Sequence, residues 1–424
     1  MNSCNNKNMT SENNCCLMAA LNGRSIPKED TIFGINRRAG AAKDKFGADN
    51  VINGTIGALL DDAGDLIVLS SVAEAFSRLK PVEYAKYAPI GGIPEFRQAA
   101  IKAALKNYKP NGFVRAVATP GGTGALHLAA ANYSSPGDAI LTADWFWSPY
   151  KTIAAELGMS IATFTLLGDD GGFNAGGFIS KVGEILKTQD RLVIFLNTPA
   201  QNPTGYSLSD QDWLKIRDGL ASIHTKKRIA LVADTAYIDF AGDEDECRSF
   251  LPIIEDMPEN VLPIIAFSMS KTFTIYGLRC GAAICMAKNE EVADEFVRVC
   301  EFSARGAWSN SPRTGQSVIA NIFDDPGMLA AVTKERAEIR QLLLDRGRAF
   351  TEAAESTNLP MMPYCGGFFV SIPCDDPVAT SRMLENEGIF LVPLSKGLRA
   401  SVASISKAKC EIMPEKVLKT LKRK

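Results

Sequence analysis

Short apolar runs alternate with helix-like segments through the middle of the chain. Six of these runs predict buried strands, at residues 114–119, 139–142, 191–197, 228–233, 261–267 and 282–286. Several are separated by amphipathic segments, such as 210–224, where Trp213, Ile216 and Leu220 fall on one stripe. Alternation of this kind predicts an α/β domain around a mainly parallel sheet.

The pattern changes after Pro312. One long charged helix is predicted over 328–356, followed by short strands near 368–372, 390–392 and 399–405. We therefore expect a smaller α+β domain joined by a long helix. The expected division is a disordered segment 1–25, an arm 26–64 that includes part of the small domain, a large domain 65–325 and a small domain 326–424.

Composition excludes several classes of partner. The 46 basic and 48 acidic residues nearly cancel, which argues against nucleic acid, and no apolar run approaches the length of a membrane span. The polar start of the chain lacks the order of a secretory signal, so a cytoplasmic protein is expected. Ten cysteines without CxxC spacing and only two histidines predict neither a metal site nor a disulfide framework.

Lys271 follows an apolar run and lies among side chains that suit a phosphate. Ser268 and Ser270 precede it, and Arg279 follows eight residues later. Burial favours the neutral form of an amine, and that form condenses with an aldehyde. Two hydroxyls and a guanidinium can hold a phosphate dianion beside it. These residues predict the anchor of pyridoxal 5'-phosphate (PLP). An ordinary surface lysine after a strand is the alternative.

Three further turns carry polar groups that suit the same cofactor. Gly122 and Thr123 lie in a Pro-Gly-Gly-Thr-Gly run that follows a strand and opens a helix, where N–H groups can meet an anion. Asn202 begins an Asn-Pro turn, and Asp234 and Tyr237 follow a strand end, where α/β proteins bind ligands. Each feature alone is also explained as a turn or a helix cap.

A single PLP molecule accounts for these positions together. Asp234 would pair with the pyridine nitrogen and keep it protonated, which makes the ring an electron sink. Asn202 and Tyr237 would hydrogen-bond the phenolic oxygen. Trp147 offers a face for stacking on the ring, and Trp145 is the alternative stacking residue. For either tryptophan, packing in the hydrophobic core is the other explanation. The phosphate would be held by Gly122, Thr123, Ser268, Ser270 and Arg279.

With these residues, the chain resembles the fold-type I PLP enzymes, and among them class I aminotransferases of the aspartate and aromatic amino-acid kind. The resemblance runs from residue 53 to residue 403. Its other markers are Asn-Gly-Thr-Ile-Gly at 53–57, Asp-Asp-Ala-Gly at 61–64 and Tyr-Ala-Pro-Ile-Gly-Gly-Ile-Pro-Glu-Phe at 87–96. It implies a large domain with a mainly parallel seven-stranded sheet flanked by helices, plus a small α+β domain.

The resemblance also implies contacts with substrate and with a partner subunit. Tyr87 is expected to reach the cofactor phosphate of a neighbouring subunit, in a homodimer with shared active sites. Arg399 looks like the arginine that binds the substrate α-carboxylate, and Gly57 is expected beside the substrate. Arg305 looks like the partner-contributed arginine that pairs with a side-chain carboxylate. Without the resemblance, both arginines are ordinary surface residues.

Four positions depart from the pattern of aspartate aminotransferases. Gly121 stands where a phosphate-binding serine is common. Tyr150 and Gln201 stand where histidines are often found, and Trp308 stands where tyrosine is usual. These departures predict a wider or more aromatic-tolerant pocket.

The predicted function is transfer of an amino group between an L-amino acid (aspartate, glutamate or an aromatic one) and a 2-oxo acid. Lys271 would hold PLP and then act as general base and acid, in a ping-pong mechanism. One alternative is another PLP reaction on the same scaffold, such as that of a β-decarboxylase, a C–S lyase or a cyclopropane-forming synthase. The other is a non-enzymatic role as an effector-binding module.

Overall fold

A computed structural model of the protein describes residues 30–223 and 225–423. The predicted disordered segment 1–25 lies outside these residues, as does His224. The α-helices of the described part are α1 Thr31–Phe46, α2 Ser70–Ser77, α3 Pro81–Ala85, α4 Pro94–Leu105, α5 Gly121–Tyr133, α6 Pro149–Glu156, α7 Ala175–Ile185, α8 Asp210–Ser222, α9 Leu251–Glu255, α10 Met269–Thr272, α11 Glu290–Ala307, α12 Arg313–Asp324, α13 Pro326–Thr357, α14 Pro377–Glu385 and α15 Lys407–Leu421. Its strands are β1 Ile52–Asn53, β2 Phe113–Thr119, β3 Ala139–Ala143, β4 Ser160–Phe164, β5 Arg191–Asn197, β6 Arg228–Asp234, β7 Val261–Ser268, β8 Gly281–Ala287, β9 Phe369–Pro373, β10 Ile389–Phe390, β11 Val392–Pro393 and β12 Gly397–Ser401. Short 3₁₀ helices lie at Ala48–Asn50, Ile238–Phe240, Glu246–Arg248, Tyr276–Leu278 and Val402–Ser404.

Seven strands of the described residues form one central sheet, in the order β2-β8-β7-β6-β5-β3-β4. The neighbours from β4 to β7 pair in parallel, whereas β8 runs antiparallel to both β7 and β2. Six strands therefore point the same way, which confirms the predicted mainly parallel seven-stranded sheet. In a sheet of this kind, ligands bind beyond the carboxyl ends of the strands.

Both faces of the sheet are covered, which explains why its strands are continuous apolar runs. In β5, Leu192 and Ile194 join one hydrophobic cluster, and Val193 and Phe195 join a second cluster. Successive side chains of a strand point to opposite faces, so the two clusters lie on opposite faces of the sheet. Helix α8 buries its predicted apolar stripe in the first cluster, and α5 packs into the second.

A third hydrophobic cluster gathers the C-terminal elements with the N-terminal segment. There β11, β12 and β9 form an antiparallel sheet, and β1 pairs in parallel with β10. The long helix α13 contributes to two clusters: Val332 lies in the first, Leu343 and Phe350 lie in the third, and Ile339 packs against both. The domain boundary at residue 325 stays a prediction, because α13 packs into both cores.

The structure corrects four details of the predicted elements. The sequence pattern does not predict β4. The strand predicted at 399–405 begins at Gly397 and ends at Ser401, where the 3₁₀ helix Val402–Ser404 follows. The strand predicted at 390–392 is two short strands, β10 and β11. Helix α8 ends at Ser222, two residues before its predicted end.

A buried network of charges anchors α13 beside the carboxyl end of β6. Arg248 donates to the Asp239 carboxylate at 2.6 Å, and Arg336 of α13 donates to Glu244 at 2.7 Å. Burial by itself raises the pKa of Asp239, but Arg248, Arg336 and Lys106 together hold it well below its usual value. Because Asp239 follows Tyr237 by two residues, the network fixes the backbone on which Tyr237 is carried. None of the helices in the described ranges combines the length and apolar character of a membrane span.

Candidate active site

Polar side chains converge at the carboxyl edge of the central sheet. Asn197 ends β5, Asp234 ends β6 and Ser268 ends β7, and these three strands are adjacent in the sheet. The antiparallel strand β8 begins at this edge, with Gly281 opposite Thr119 at the end of β2. A cavity opens here, lined by Gly122, Thr123, Leu126, Trp147, Asn197, Asn202, Asp234, Ala236, Tyr237, Ser268, Ser270, Lys271 and Arg279.

Lys271 extends from the short helix α10, immediately after β7. The Ser268 hydroxyl oxygen accepts a hydrogen bond from the Ser270 N–H at 3.3 Å and so caps this helix. Nζ of Lys271 lies 5.4 Å from the centre of the Tyr237 ring. Burial lowers the pKa of the Lys271 amine from 10.5 to about 8, although nearby Asp234 raises it. A substantial fraction of this amine is therefore neutral near pH 8, in the form that reacts with carbonyl groups.

Asp234 presents a buried carboxylate to the cavity. Its Oδ2 accepts a hydrogen bond from the Tyr150 hydroxyl at 2.6 Å, and its Oδ1 accepts one from the Ala236 N–H at 3.3 Å. Burial raises the pKa of Asp234, whereas the Tyr150 hydrogen bond, the Ala236 N–H and the Lys271 amine each lower it. A carboxylate in this position is suited to pair with a protonated ring nitrogen.

Arg399, on the distant strand β12, contacts the cavity residue Asn202. Its Nη1 donates to Asn202 Oδ1 at 3.3 Å, and Asn202 Nδ2 donates to the Tyr237 hydroxyl at 3.2 Å. Nη2 of Arg399 donates to the Thr55 carbonyl at 2.6 Å, and the guanidinium lies 4.4 Å from the centre of the Phe369 ring. Its Nε has no hydrogen-bond partner within the described residues. Burial lowers the pKa of Arg399 to about 10, so it stays cationic at neutral pH with a donor unused.

The residues predicted to hold a phosphate lie together beside the start of α5. A Cβ at Gly122 would lie 3.3 Å from Ser268 Cβ, so glycine allows close approach here. Nη1 of Arg279 donates to the Ser270 hydroxyl at 3.2 Å. Gly121 has φ +75°, and a Cβ there would lie 2.6 Å from Arg279 Nη2. The Arg279 guanidinium therefore occupies the space that a side chain at position 121 would need.

The predicted stacking residue Trp147 lines the cavity, and the alternative Trp145 does not. Trp145 is buried outside it, where its carbonyl accepts a hydrogen bond from Gln201 Nε2 at 3.0 Å. Gln201 Oε1 in turn accepts one from the Thr204 hydroxyl at 2.6 Å. Gln201 thus ties the Asn-Pro-Thr turn to the segment that carries Trp147.

Arg399 lies behind the cavity residue Asn202, and three other predicted site residues also do not line the cavity of their own chain. Tyr87 is 85% exposed. Arg305 is also exposed, and its Nη1 donates to the Ser309 hydroxyl at 2.7 Å. Gly57 lies against the Phe369 ring, because a Cβ at Gly57 would approach Phe369 Cζ to 2.6 Å. The roles of these three residues stay predictions.

Two residues of the site are missed by the sequence reasoning. Asn197 donates through Nδ2 to the Asp234 carbonyl at 2.7 Å, and its Oδ1 accepts from the Asn202 N–H at 2.6 Å. Its place at the end of a predicted strand was a signal that could have revealed it. Phe369 supports Arg399 and meets the Tyr237 ring edge-on, with centroids 5.7 Å apart. No local pattern marks Phe369, because β9 joins the site only through tertiary packing.

Comparison with known proteins agrees with this geometry. The family model of the class I and II aminotransferases matches residues 49–417. The aromatic-amino-acid aminotransferase of Pseudomonas aeruginosa is 27% identical over 82% of this chain and 87% of its own length. A solved aminotransferase structure from Anaerococcus prevotii has a TM-score of 0.92 and 36% identity, over 95% of this chain and 99% of that one. The aromatic-amino-acid aminotransferase of Burkholderia pseudomallei, solved covalently bound to pyridoxal phosphate, has a TM-score of 0.78 and 20% identity, over 95% of this chain and 100% of that one.

The fold and the matched length define a class of enzyme, the aminotransferases. This chain belongs to the class I and II aminotransferase family, because the family model covers most of its length. The predicted fold class, the predicted enzyme class and the resemblance stated from the sequence are confirmed. The likeness to the Burkholderia pseudomallei enzyme, at 20% identity, supports the fold alone.

Proposed function

We propose that the protein is a PLP-dependent aminotransferase acting on an L-amino acid and a 2-oxo acid. The observation that carries this proposal is the amine of Lys271 in a cavity that it shares with Asp234 and Arg279. Its pKa, lowered to about 8, suits an amine that must bind a carbonyl group and then carry protons. The family membership of the chain supports the same reaction.

The residues present fit PLP. Arg279 is suited to bind a dianionic phosphate beside the start of α5. Gly122 has no side chain there, so the phosphate can approach the backbone closely. The Asp234 carboxylate suits a pyridinium nitrogen, and the hydroxyl of Tyr237 suits a phenolic oxygen. Burial raises the pKa of Tyr237, so this hydroxyl keeps its proton and can donate it in a hydrogen bond. The phosphate would be held by Gly122, Thr123, Ser268, Ser270 and Arg279, with Trp147 against the ring.

PLP supplies an electron sink that stabilises negative charge developing at the substrate Cα. The chain supplies the rest of the chemistry. Asp234 would keep the ring nitrogen protonated, and Asn202 and Tyr237 would hydrogen-bond the ring oxygen. Lys271 would hold the cofactor, and its amine would accept a proton from the substrate Cα and return one to it. Two half-reactions of this kind give ping-pong kinetics.

Substrate recognition rests on two arginines in this proposal. Arg399 would bind the α-carboxylate, since its Nε is unused and its guanidinium is fixed by Thr55, Asn202 and Phe369. Arg305 would pair with the side-chain carboxylate of aspartate or glutamate in the site of a second copy. Aromatic substrates would place a ring at the same position. The related aromatic-amino-acid aminotransferase of Pseudomonas aeruginosa supports this range.

Two measurements test the proposal. Borohydride treatment of the PLP-loaded protein should attach the cofactor covalently to Lys271, as read by peptide mass spectrometry. A panel of amino acids against 2-oxoglutarate should then yield the matching 2-oxo acids, and aspartate, glutamate or an aromatic amino acid should react fastest. Release of ammonia or CO2 in place of an oxo acid would instead indicate a lyase or a decarboxylase on the same scaffold.

The proposed active unit is a homodimer with shared sites. Support comes from Tyr87 and Arg305, which are exposed and do not line the cavity of their own chain. Lys271→Ala subunits, which are inactive, and Arg305→Ala subunits, which are impaired toward aspartate, should regain part of the aspartate activity when dissociated and reassociated together. Lys334→Ala, which changes an exposed residue of α13, mixed with Lys271→Ala controls for simple dilution of subunits. A fully active monomer in sedimentation at assay concentration would contradict shared sites.

A cytoplasmic location is also part of the proposal. The cysteines of the described residues that carry free thiols are Cys247, Cys280, Cys285, Cys300, Cys365, Cys374 and Cys410. Free thiols are typical of a reducing compartment. Fractionation of the source cells, followed by immunodetection, would test this location.

A further inference from the structure

Tyr150 is directed at the one carboxylate that the proposed function assigns to the cofactor ring. Its hydroxyl donates to Asp234 Oδ2 at 2.6 Å, a short charge-assisted contact. The opposite oxygen, Oδ1, has only the longer contact with the Ala236 N–H, at 3.3 Å. Within the described residues, Tyr150 is therefore the strongest hydrogen-bond donor to this carboxylate.

The Tyr150 ring is fixed by its surroundings. The side chain is fully buried, and its ring centroid lies 5.0 Å from that of Phe195 and 5.7 Å from that of Trp147. Phe146 stacks on it at 6.3 Å. With the ring held on three sides, the hydroxyl has a single direction, toward Asp234. Replacement by phenylalanine would keep this packing and remove only the donor.

We propose that Tyr150 is a positioning residue, whose hydroxyl holds the Asp234 carboxylate ionised and oriented so that the carboxylate pairs with the protonated ring nitrogen of PLP. The inference rests on the proposed function, since it concerns the ring of that cofactor. A buried carboxylate and a ring nitrogen compete for one proton. The donor on Oδ2 stabilises the ionised carboxylate and leaves the proton on the nitrogen. Without the donor, the proton moves toward Asp234.

The protonation of Tyr150 is consistent with this role. Burial and the neighbouring Asp234 raise the pKa of Tyr150 well above 10, so its hydroxyl keeps the proton that it donates. Burial raises the pKa of Asp234, and the Tyr150 hydrogen bond is the first of the contacts that lower it. Tyr150 does not line the cavity, so its hydroxyl acts on the cofactor through Asp234, and phenylalanine would keep the separate ring contact with Trp147.

The test is a double-mutant cycle on cofactor affinity. PLP is titrated into cofactor-free parent, Tyr150→Phe, Asp234→Ala and the double variant, with equilibrium dialysis giving each Kd. Loss of a hydrogen bond to a charged group should raise the Kd of Tyr150→Phe about tenfold, or about 1.4 kcal/mol. In the Asp234→Ala background the same replacement should change Kd by less than about twofold, because the residue acts through Asp234.

Tyr206→Phe is the matched control. Its hydroxyl also contacts a buried carboxylate, Asp212 Oδ2 at 3.4 Å, and Tyr206 lies outside the cavity. The Kd of this variant for PLP should lie within about twofold of the parent value, because neither Tyr206 nor Asp212 lines the cavity. Melting temperatures of the cofactor-free proteins show whether each variant folds.

A second readout reports the proton directly. With ring-¹⁵N-labelled PLP, the nitrogen resonance of the loaded parent should be that of a protonated pyridine, and Tyr150→Phe should shift it toward the unprotonated position. An unprotonated nitrogen in the parent would overturn the inference even if Tyr150→Phe failed to fold. Equal loss of affinity in the parent and Asp234→Ala backgrounds, or no loss in either, would also overturn it. A parent that fails to bind PLP would instead refute the proposed function.

Discussion

Replacing Lys271 by methionine should make the cofactor-free protein more stable at neutral pH. Burial lowers the pKa of this amine from 10.5 to about 8, despite the opposing effect of Asp234. At about 1.4 kcal/mol for each pKa unit, carrying the charged amine costs the folded state about 3 kcal/mol. Lys271 is partly accessible from the open cavity, so we expect between about 1 and 3 kcal/mol to be recovered.

The sign of the pH dependence follows from proton linkage. Between about pH 8 and pH 10.5 the unfolded chain keeps a proton that the folded chain releases, so rising pH stabilises the parent relative to Lys271→Met. The advantage of the methionine variant should be full below about pH 8 and absent above about pH 10.5. Methionine matches lysine in length, which keeps the packing change small.

Thermal melting of the cofactor-free proteins measures the effect, because bound PLP would stabilise the parent alone. An unfolding entropy of about 0.9 kcal/mol/K for 424 residues converts the expected gain into a rise in Tm of about 1 to 3 °C. Lys334→Met, which removes an exposed lysine from α13, should leave Tm unchanged at every pH. A Lys271→Met protein that melts below the parent at neutral pH, or an advantage that stays constant up to about pH 10, would refute the reasoning.

Three further predictions follow from the site. Arg399→Leu should lower kcat/KM for every amino acid about a hundredfold, whereas Arg305→Leu should lower it about tenfold or more for aspartate and glutamate and far less for phenylalanine. Equal losses for acidic and aromatic substrates in Arg305→Leu would show that Arg305 has only a structural role. Gly121→Ala should weaken PLP binding about tenfold in equilibrium dialysis, since its Cβ would lie 2.6 Å from Arg279 Nη2 at a φ of +75°, and an unchanged Kd would contradict this placement of Arg279. The rate at which PLP combines with the cofactor-free protein, followed by absorbance, should rise with pH through a midpoint near 8, the pKa of Lys271, and a flat profile would contradict a neutral-amine mechanism.

The central sheet is largely predictable from sequence because its strands are buried on both faces. Arg191–Asn197 and its neighbours form continuous apolar runs between helices, which is the pattern of a parallel sheet. The missed strand, Ser160–Phe164, lies at the sheet edge with only Phe164 buried, so its sequence carries little apolar signal. The end of β12 is missed for the opposite reason. Val402 and Ala403 are buried and apolar, and apolar character alone does not distinguish a strand from a 3₁₀ helix.

Site residues can be predicted from the sequence where a chemically suitable side chain directly follows a predicted strand. Asp234 follows the end of one predicted strand and Lys271 follows the end of another, so the sequence alone assigns both to one edge of the sheet. The contact between Tyr150 and Asp234 could not be predicted in this way, because it depends on how α6 packs against the end of β6. Phe369 was equally hidden, since it contacts Tyr237 and Arg399 only through the tertiary packing of the third hydrophobic cluster.

Helix α13 packs into both the first and the third hydrophobic clusters. We therefore expect the parts of the molecule built around these two clusters to unfold together. Val332 and Leu343 are eleven residues apart, or about 16 Å along the helix axis, with no break between them. If the hydrophobic cluster at one end of α13 opens, the helix loses packing contacts. The cluster at the other end of the helix then becomes less stable. Cofactor bound at the sheet edge should therefore slow amide hydrogen exchange in α15, which packs along α13.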